Sequence, residues 1–267
     1  MKRRELILFI VSLLLIGCGV WEDRKNCPQH FALDCSAFKE VAEGVEVWVF
    51  RSSGELVQRT SVRRSELSSD ITFDVPRDEL LCVVWGNVSG MTLLTDSYSM
   101  ECAILKKDLQ SCDSLYSFFT TVMVSKEPVR VEAIPTRQFI NFFISFKGIE
   151  AEQIAGIYLV GGWNGFSLEG KGYASECKVF GREKTEYRMR ITRPFSLEGM
   201  RIDYTFILED GRLLEASLPL GEELTDLKYD FMESEPKDVY VVIDAGRAGA
   251  NIDTEPWNQI PPSHITW

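Results

Sequence analysis

The octapeptide LLCVVWGN, residues 80–87, decides the fold class of this chain. Six apolar residues in a row that end at a glycine–asparagine turn signal are typical of a strand whose two faces are both buried. Residues 45–50, 71–75 and 129–134 alternate between apolar and polar side chains, which is the pattern of strands with one buried face. The octapeptide is therefore predicted to be a central strand of a β-sheet.

The second half of the chain shows the same kind of strand pattern. Residues 139–146, FINFFISF, form the most apolar strand candidate of the chain. Further strands are predicted at residues 157–160, 187–191, 202–208 and 239–243. Hairpin turns are predicted at residues 52–54 and 210–211, and one helical turn at residues 150–154. Turn residues recur roughly every 8–15 positions and no helix longer than two turns is evident, so the fold is predicted to be all-β.

Domain organisation follows from the length and from these two sets of strands. The chain has 267 residues, which is enough for two ordinary domains. We predict two β-sandwich domains in tandem, residues 29–135 and 136–267, with the boundary near Pro135. The tail from Asn251 to Trp267 contains three prolines and is predicted to be irregular or a frayed sheet edge.

The amino terminus has the parts of an export signal. Residues 2–4 are basic, and residues 6–16 are apolar except for one serine. This stretch has the size of a signal-peptide apolar region and is shorter than the ~20 residues of a membrane-spanning helix. The sequence LIGC that ends it resembles a bacterial lipobox, which implies cleavage between Gly17 and Cys18 and lipid on Cys18.

Cleavage at that bond makes residues 1–17 a signal peptide and residues 18–28 a lipidated tether. Several acyl chains are sufficient for stable membrane anchoring. The alternative is a plain secretory signal whose cysteine is later oxidised. Glu22 and Asp23 resemble the acidic surface-export signal of Bacteroidota lipoproteins, and their alternative role is that of two solvated charges in a linker.

The charge balance limits the classes of partner. The formal net charge is −11, and the loss of residues 1–17, which carry a net +2, makes it −13. An acidic surface argues against a nucleic-acid partner and against docking on anionic lipid headgroups.

Seven cysteines are present, and six remain when Cys18 is lipidated. An even number in an exported protein favours disulfides, so at least one is predicted, with Cys27 and Cys35 the nearest pair in sequence. The alternative is buried free thiols, because Cys82 and Cys102 lie in strand-like runs. No Cys-x-x-Cys pair occurs, so no zinc site is expected.

No catalytic constellation is evident, and we expect neither an enzyme nor a cofactor. A nucleophile–histidine site needs a histidine beside its nucleophile, whereas His30 lies near the tether and His264 near the last residue. Carboxylates able to touch Ca²⁺ lie in no loop with the regular acidic alternation of a calcium site, so no metal is predicted. These carboxylates are Asp108, Asp113 and Asp226.

Several short motifs, by their order and spacing, carry a family resemblance over nearly all of the mature chain. They are LIGC at 15–18, Asp23-Arg24 before Cys27-Pro28, Leu33-Asp34, the strand 45–50 with GELV at 54–57, VVWGN at 83–87, and VRV at 129–131 leading through Arg137 to the strand 139–146. On these motifs the chain resembles the fimbrillin-associated anchor lipoproteins of Bacteroidales-type fimbriae.

The resemblance implies two transthyretin-like β-sandwich domains, an outer-membrane lipid anchor and a place at the base of a fimbrial shaft. The predicted partners are fimbrial subunits, and the predicted location is the cell surface. We expect docking by β-strand addition, because main-chain hydrogen bonds along an open sheet edge give tight and sequence-tolerant binding.

The alternative function is a surface lipoprotein that binds or cleaves glycans. It would use an exposed aromatic platform, with Trp48, Trp163 and Trp257 as the candidates. The glycine-dense segment GGWNG at residues 161–165 is either a ligand loop that presents Trp163 or a wide hairpin with that side chain packed on the sandwich.

Overall fold

The computed structural model describes residues 28–88, 92–94, 104–106, 113–161, 165–166, 175–179, 186–193, 196–233, 235–245 and 249–255. The strands of the N-terminal half are β1 (Gln29–Asp34), β2 (Gly44–Arg51), β3 (Leu56–Arg63), β4 (Ile71–Val75), β5 (Glu79–Gly86), β6 (Thr92–Leu94), β7 (Ile104–Lys106), β8 (Tyr116–Met123), β9 (Val129–Glu132) and β10 (Thr136–Arg137). Those of the C-terminal half are β11 (Phe139–Lys147), β12 (Ile154–Gly161), β13 (Gly165–Phe166), β14 (Ser175–Val179), β15 (Glu186–Thr192), β16 (Arg201–Ile207), β17 (Leu213–Leu218), β18 (Asp238–Asp244) and β19 (Gly249–Glu255). Within these residues the helices are α1 (Leu220–Asp226) and short 3₁₀ turns at Ser36–Glu40, Arg64–Glu66 and Ala151–Gln153.

The N-terminal sandwich packs a sheet of order β4-β1-β9 against one of order β10-β8-β5-β2-β3. β5 is the middle strand of the larger sheet, as the apolar run at residues 80–85 predicted. Cys82 and Val84 lie in the core between the sheets, and Val83 and Trp85 lie in a second apolar cluster with Trp48 and other side chains. Both faces of β5 are therefore buried, and the prediction of a central strand is confirmed.

The C-terminal sandwich packs a sheet of order β15-β11-β18-β19 against one of order β14-β12-β16-β17. β11 is antiparallel to β15 and parallel to β18, so the most apolar strand candidate of the sequence lies inside its sheet. The ring of Phe146 packs edge-on against Tyr187, Tyr204 and Phe206 in the middle of this core. The predicted all-β fold is confirmed for the described residues, apart from one short α-helix.

The two cores meet at consecutive residues of β11. Phe139 packs into the N-terminal core and Ile140 into the C-terminal core. β10, just before them, pairs with β8 in the N-terminal sandwich. A small sheet of order β13-β7-β6 joins strands from both halves. The domain limits 29–135 and 136–267 stay a prediction beside these observations.

Both predicted hairpins form, between β2 and β3 and between β16 and β17. Gly54 and Gly211 in their turns have φ values of 85° and 81°, a backbone conformation that favours glycine. The predicted helical turn is the 3₁₀ turn Ala151–Gln153.

The segment from Asn251, predicted to be irregular or a frayed sheet edge, is part of a sheet edge as far as Glu255. Residues 249–255 form the edge strand β19, which pairs with β18 over its whole length. The first proline of the tail is Pro256, so no missing N–H interrupts this ladder. Residues 256–267 lie outside the described residues.

Candidate docking site

The predicted anchoring residues precede the described part of the chain. Gly17, Cys18, Glu22 and Asp23 all lie outside it, so the lipobox and the export signal stay predictions. In the portion that is described, no helix has the length and apolar character needed to cross a membrane.

The Cys27–Cys35 disulfide also stays a prediction, because Cys27 lies outside the described residues. Cys35 and Cys82 carry free thiols in the structure, and both are fully buried in the N-terminal core. Burial, joined at Cys35 by the nearby Asp34 carboxylate, raises the pKa of each thiol to about 12. Both thiols are therefore protonated and unreactive at neutral pH.

The glycan alternative loses one of its three aromatic candidates. Trp48 is only 2% exposed, and the guanidinium of Arg59 lies 4.7 Å from the centre of its ring. An exposed stacking platform at Trp48 is therefore wrong, because the outer face of the five-stranded sheet is itself an apolar cluster. Trp163 and Trp257 lie outside the described residues.

No group of metal-binding side chains occurs among the residues that the structure describes. Asp113 is buried and Asp226 is exposed on α1, while Asp108 and His264 lie outside the described residues. His30 lies beside Asp74 on the surface, with 2.8 Å between Nδ1 and Oδ1.

Strand directions place the tether at one end of the molecule. β1 begins at Gln29, and its last residue, Asp34, pairs with Glu132 of the parallel strand β9. β9 leads through residues 133–135 into β10 and then into β11 of the C-terminal sandwich. The chain therefore enters the N-terminal sandwich at the end that faces away from the C-terminal sandwich.

The opposite end carries an open sheet edge at β17. This strand pairs with β16 in a regular antiparallel register, and among the described residues it is the last strand of its sheet. Leu213 is 62% exposed and Leu214 is 48% exposed. Leu214 pairs with the buried Phe206, so it lies on the core face of the sheet and stays half-uncovered.

β17 lies far from the tether along the molecule. β11 starts at the junction of the two sandwiches and ends at Lys147, and a short connection leads from there to Ile154. Ile154 pairs with Phe206, which in turn pairs with Leu214. The amino end of β17 therefore lies at the end of the C-terminal sandwich that is remote from the junction.

Charged side chains mark another edge of the described sheets. On the edge strand β9, Arg130 bridges Asp34 at 2.7 Å and Asp70 at 2.8 Å. Charges on an edge discourage the addition of a further strand. β17 has one charged residue, Glu215, and two exposed leucines, so it is the better candidate for strand addition.

A groove of about 1130 Å³ opens beside the carboxyl end of β17. Its walls are the segment 196–201 and α1, and its apolar floor includes Leu197, Met200 and Phe231. Gly221 allows α1 to lie this close, because a Cβ there would lie 1.9 Å from the carbonyl oxygen of Leu197. The N–H of Gly221 donates to the carbonyl of Met200 at 2.9 Å.

A buried polar network ties the C-terminal sandwich to the segment that links the two cores. Arg137 is fully buried and donates to Asp238 at 2.5 Å. Asp238 also accepts from the backbone and side-chain N–H groups of Asn141 at 3.0–3.1 Å. Arg190 donates to Asn141 at 3.1 Å and to Ser114 of the N-terminal half at 2.7 Å. This network is positioned to fix the angle between the two sandwiches.

Neither the β17 edge nor the buried polar network was predicted, although the sequence contains a signal for each. Leu213 and Leu214 are consecutive, so a strand that contains them places one apolar side chain on each face of its sheet. Asn141 stands inside the most apolar strand, where a polar side chain needs a buried partner. The identity of that partner, Asp238, required the fold.

The comparisons with known proteins agree with the resemblance predicted from the sequence. Residues 24–112 match the model of the Mfa2 family, described as fimbrillin-A associated anchor proteins Mfa1 and Mfa2. That match covers much of the N-terminal sandwich and confirms the predicted resemblance. A comparison with curated proteins found no match.

Solved structures share the fold over most of its length. The fimbrial anchor protein Mfa2 of Porphyromonas gingivalis has a TM-score of 0.59 at 14% identity, covering 86% of this chain and 98% of its own. A candidate polysaccharide-binding protein of Bacteroides thetaiotaomicron has a TM-score of 0.67 at 10% identity, covering 86% and 96%. A candidate adhesin of the same species has a TM-score of 0.61 at 12% identity, covering 86% and 97%. At these identities the likeness establishes the shared fold.

Proposed function

We propose that this protein is an outer-membrane lipoprotein that anchors a fimbrial shaft at the cell surface. Lipid on Cys18 holds its amino terminus, and the next fimbrial subunit docks by adding a strand along β17. The family match over residues 24–112 supports the fimbrial role. The observation that carries the docking proposal is the open β17 edge with a half-exposed leucine on its core face.

The positions of the two ends support an anchor that points outward. A lipid on Cys18 and a tether to residue 28 bring the free end of the N-terminal sandwich close to the membrane. The amino end of β17 is at the other end of the molecule, as traced through β11, β12 and β16. A subunit docked there extends away from the cell.

The energetics of strand addition suit this edge. Each new main-chain hydrogen bond contributes about 0.5–1.5 kcal/mol net, and a strand of six residues forms several of them. Covering the exposed half of Leu214 adds about 1 kcal/mol of apolar burial. Both contributions are made without a side-chain pocket, so the docking strand needs little sequence specificity along most of β17.

The β17 edge is tested in a strain whose own gene is deleted and which carries a plasmid copy of either the unchanged gene or a variant. We expect Leu214→Lys to release fimbriae into the medium, because a charge on the core face opposes an added strand. Met123→Lys is the matched control, since Met123 is 64% exposed on the N-terminal sandwich. Equal retention of fimbriae by both variants would exclude β17 as the docking edge.

Surface location is tested separately at the acidic pair. If Glu22 and Asp23 form an export signal, replacing both with alanine leaves the protein in the membrane fraction but protected from protease added to intact cells. Proteolysis equal to that of the unchanged protein would mean that the pair is only part of the linker.

Glycan binding or cleavage is the second candidate function. The fold shared with a candidate polysaccharide-binding protein motivates it. The burial of Trp48 weighs against it, because that ring has no open face for a sugar. Fimbriae that remain attached in the deletion strain would favour this second function over the anchor.

A further inference from the structure

Exposed apolar side chains lie on β17 and in the segment that follows α1. Six large hydrophobic residues of the described surface are strongly exposed, and four of them lie on β17 or in the segment 227–232 that follows α1. The four are Leu213, Leu214, Leu227 and Met232. Leu213 and Leu214 are neighbours on the β17 edge, and exposed apolar residues that lie together mark interaction sites, whereas single ones are normal.

The groove at the carboxyl end of β17 adds charge to this surface. Three carboxylates line it, those of Glu198, Glu222 and Asp226, and all three residues are exposed. Among the described residues none of them forms an ion pair. The one lining cation, Arg201, is held by Asp203 at 3.0 Å. The rim therefore carries unbalanced negative charge above an apolar floor.

Groove and edge are continuous along β17. Ser217 of β17 and Pro219 just after it line the groove, while Leu213 and Leu214 begin the same strand. An extended segment rises about 3.3 Å per residue, so six residues laid along β17 span about 20 Å and reach from the exposed leucines to the groove.

We propose that the groove is a specificity pocket that takes a lysine or arginine of the docking strand, whose other residues contribute apolar side chains to β17. This inference rests on the proposed docking along β17. The carboxylates of Glu222 and Asp226 attract the cation, and the aliphatic stem of a lysine or arginine packs on Leu197 and Met200. The partner is thus an extended protein segment whose apolar residues cover the β17 edge and which places a basic residue in the groove.

The probes are three fluorescein-labelled decapeptides in which valine alternates with lysine, threonine or glutamate. Their binding to the mature full-length chain is followed by fluorescence anisotropy in 50 mM and 300 mM salt. We expect the lysine peptide to bind at least tenfold more tightly than the glutamate peptide. The difference should shrink in high salt, because salt screens exposed charges.

Charge reversal localises the effect. We expect Glu222→Lys with Asp226→Lys to weaken the lysine peptide tenfold or more and to leave the threonine peptide unchanged. Glu127→Lys with Glu132→Lys is the control: both residues are exposed on the N-terminal sandwich and give the same change in net charge. Leu214→Lys should weaken all three peptides, since it removes the strand-docking edge.

Three results would overturn the pocket. The first is equal binding of the lysine and glutamate peptides, and the second is an equal loss in the groove and control variants. The third is binding of a neutral oligosaccharide, maltoheptaose, with the same dependence on Glu222 and Asp226, which would assign the groove to glycans. Failure of the anchor function is separate, because it is read from fimbriae that stay attached in the deletion strain.

Discussion

Replacing Asp238 with alanine is predicted to be among the most destabilising single changes in this chain. Asp238 is 2% exposed and accepts hydrogen bonds from Arg137 and from two N–H groups of Asn141. The variant removes the Asp238 carboxylate from the guanidinium of Arg137, which is fully buried. Breaking one side of a buried ion pair costs about 3–5 kcal/mol, because the remaining charge stays out of water.

The assay is urea unfolding of the mature chain without lipid, followed by tryptophan fluorescence. With a slope of about 3 kcal/mol per molar urea for a chain of this size, the midpoint falls by roughly 1–2 M. Asp210→Ala is the control, since Asp210 pairs with Arg212 on the surface and exposed pairs contribute about 0–1 kcal/mol.

A second variant separates the loss of the Arg137–Asp238 attraction from the cost of keeping the Arg137 charge buried. Arg137→Met combined with Asp238→Leu removes both charges, so we expect it to recover part of the lost stability although Asn141 still loses its acceptor. A midpoint for Asp238→Ala within 0.3 M of the control would refute the reasoning, since the network would then contribute no more than a surface pair. The figure of about 0.3 M corresponds to roughly 1 kcal/mol at the assumed slope.

Three further predictions concern the Cys82 thiol, the helix contact and acid stability. Peptide mapping after alkylation at pH 8 should find Cys82 unmodified in the folded protein and modified in 6 M urea, because burial raises its pKa to about 12; modification of the folded protein would contradict this. Gly221→Ala should cost about 1–3 kcal/mol in urea unfolding, because its Cβ would meet the Leu197 carbonyl oxygen; an unchanged midpoint would mean that α1 is not in tight contact. The Ser36 backbone N–H, chiefly, lowers the pKa of Asp34, so its contribution to stability is complete above about pH 4 and is lost as pH falls through the lower folded-state value; the stability difference between Asp34→Asn and the unchanged protein should therefore vanish in acid, and a constant difference would contradict it.

Many of the strand positions in each half could be predicted from local sequence pattern. The run at residues 80–85 indicated a central strand because only a strand with two covered faces tolerates six consecutive apolar side chains. The hairpin ending β16 was marked by Asp210-Gly211, where the turn needs the positive φ that Gly211 adopts.

Two elements escaped prediction because tertiary contacts form them. α1 spans only seven residues and includes a glycine, so its helical pattern is too short to stand out, although Leu220 and Leu224 are both buried. The sequence of β19, GANIDTE, contains one large apolar residue, Ile252, and shows no strand pattern. This strand forms because every one of its residues pairs with β18.

Docking by strand addition could be predicted from the sequence, but the strand that forms the docking edge could not. An all-β chain that docks by strand addition is expected to have an open sheet edge. Only the order of the strands in the sheet identifies β17 as a terminal strand. The groove depends on contact between α1 and the segment 196–201, which are separated by β16 and β17 in sequence. No periodic pattern reports such a contact.

The most direct test of the anchor is the distribution of fimbrial protein in a strain whose only copy of the gene carries Cys18→Ala. We predict that the unlipidated protein leaves the membrane fraction and that fimbriae are shed into the medium while subunit expression continues. A strain that complements with the unchanged gene should retain them on the cells. Fimbriae that stay firmly attached in the Cys18→Ala strain would contradict the proposal that this protein holds the shaft through its lipid.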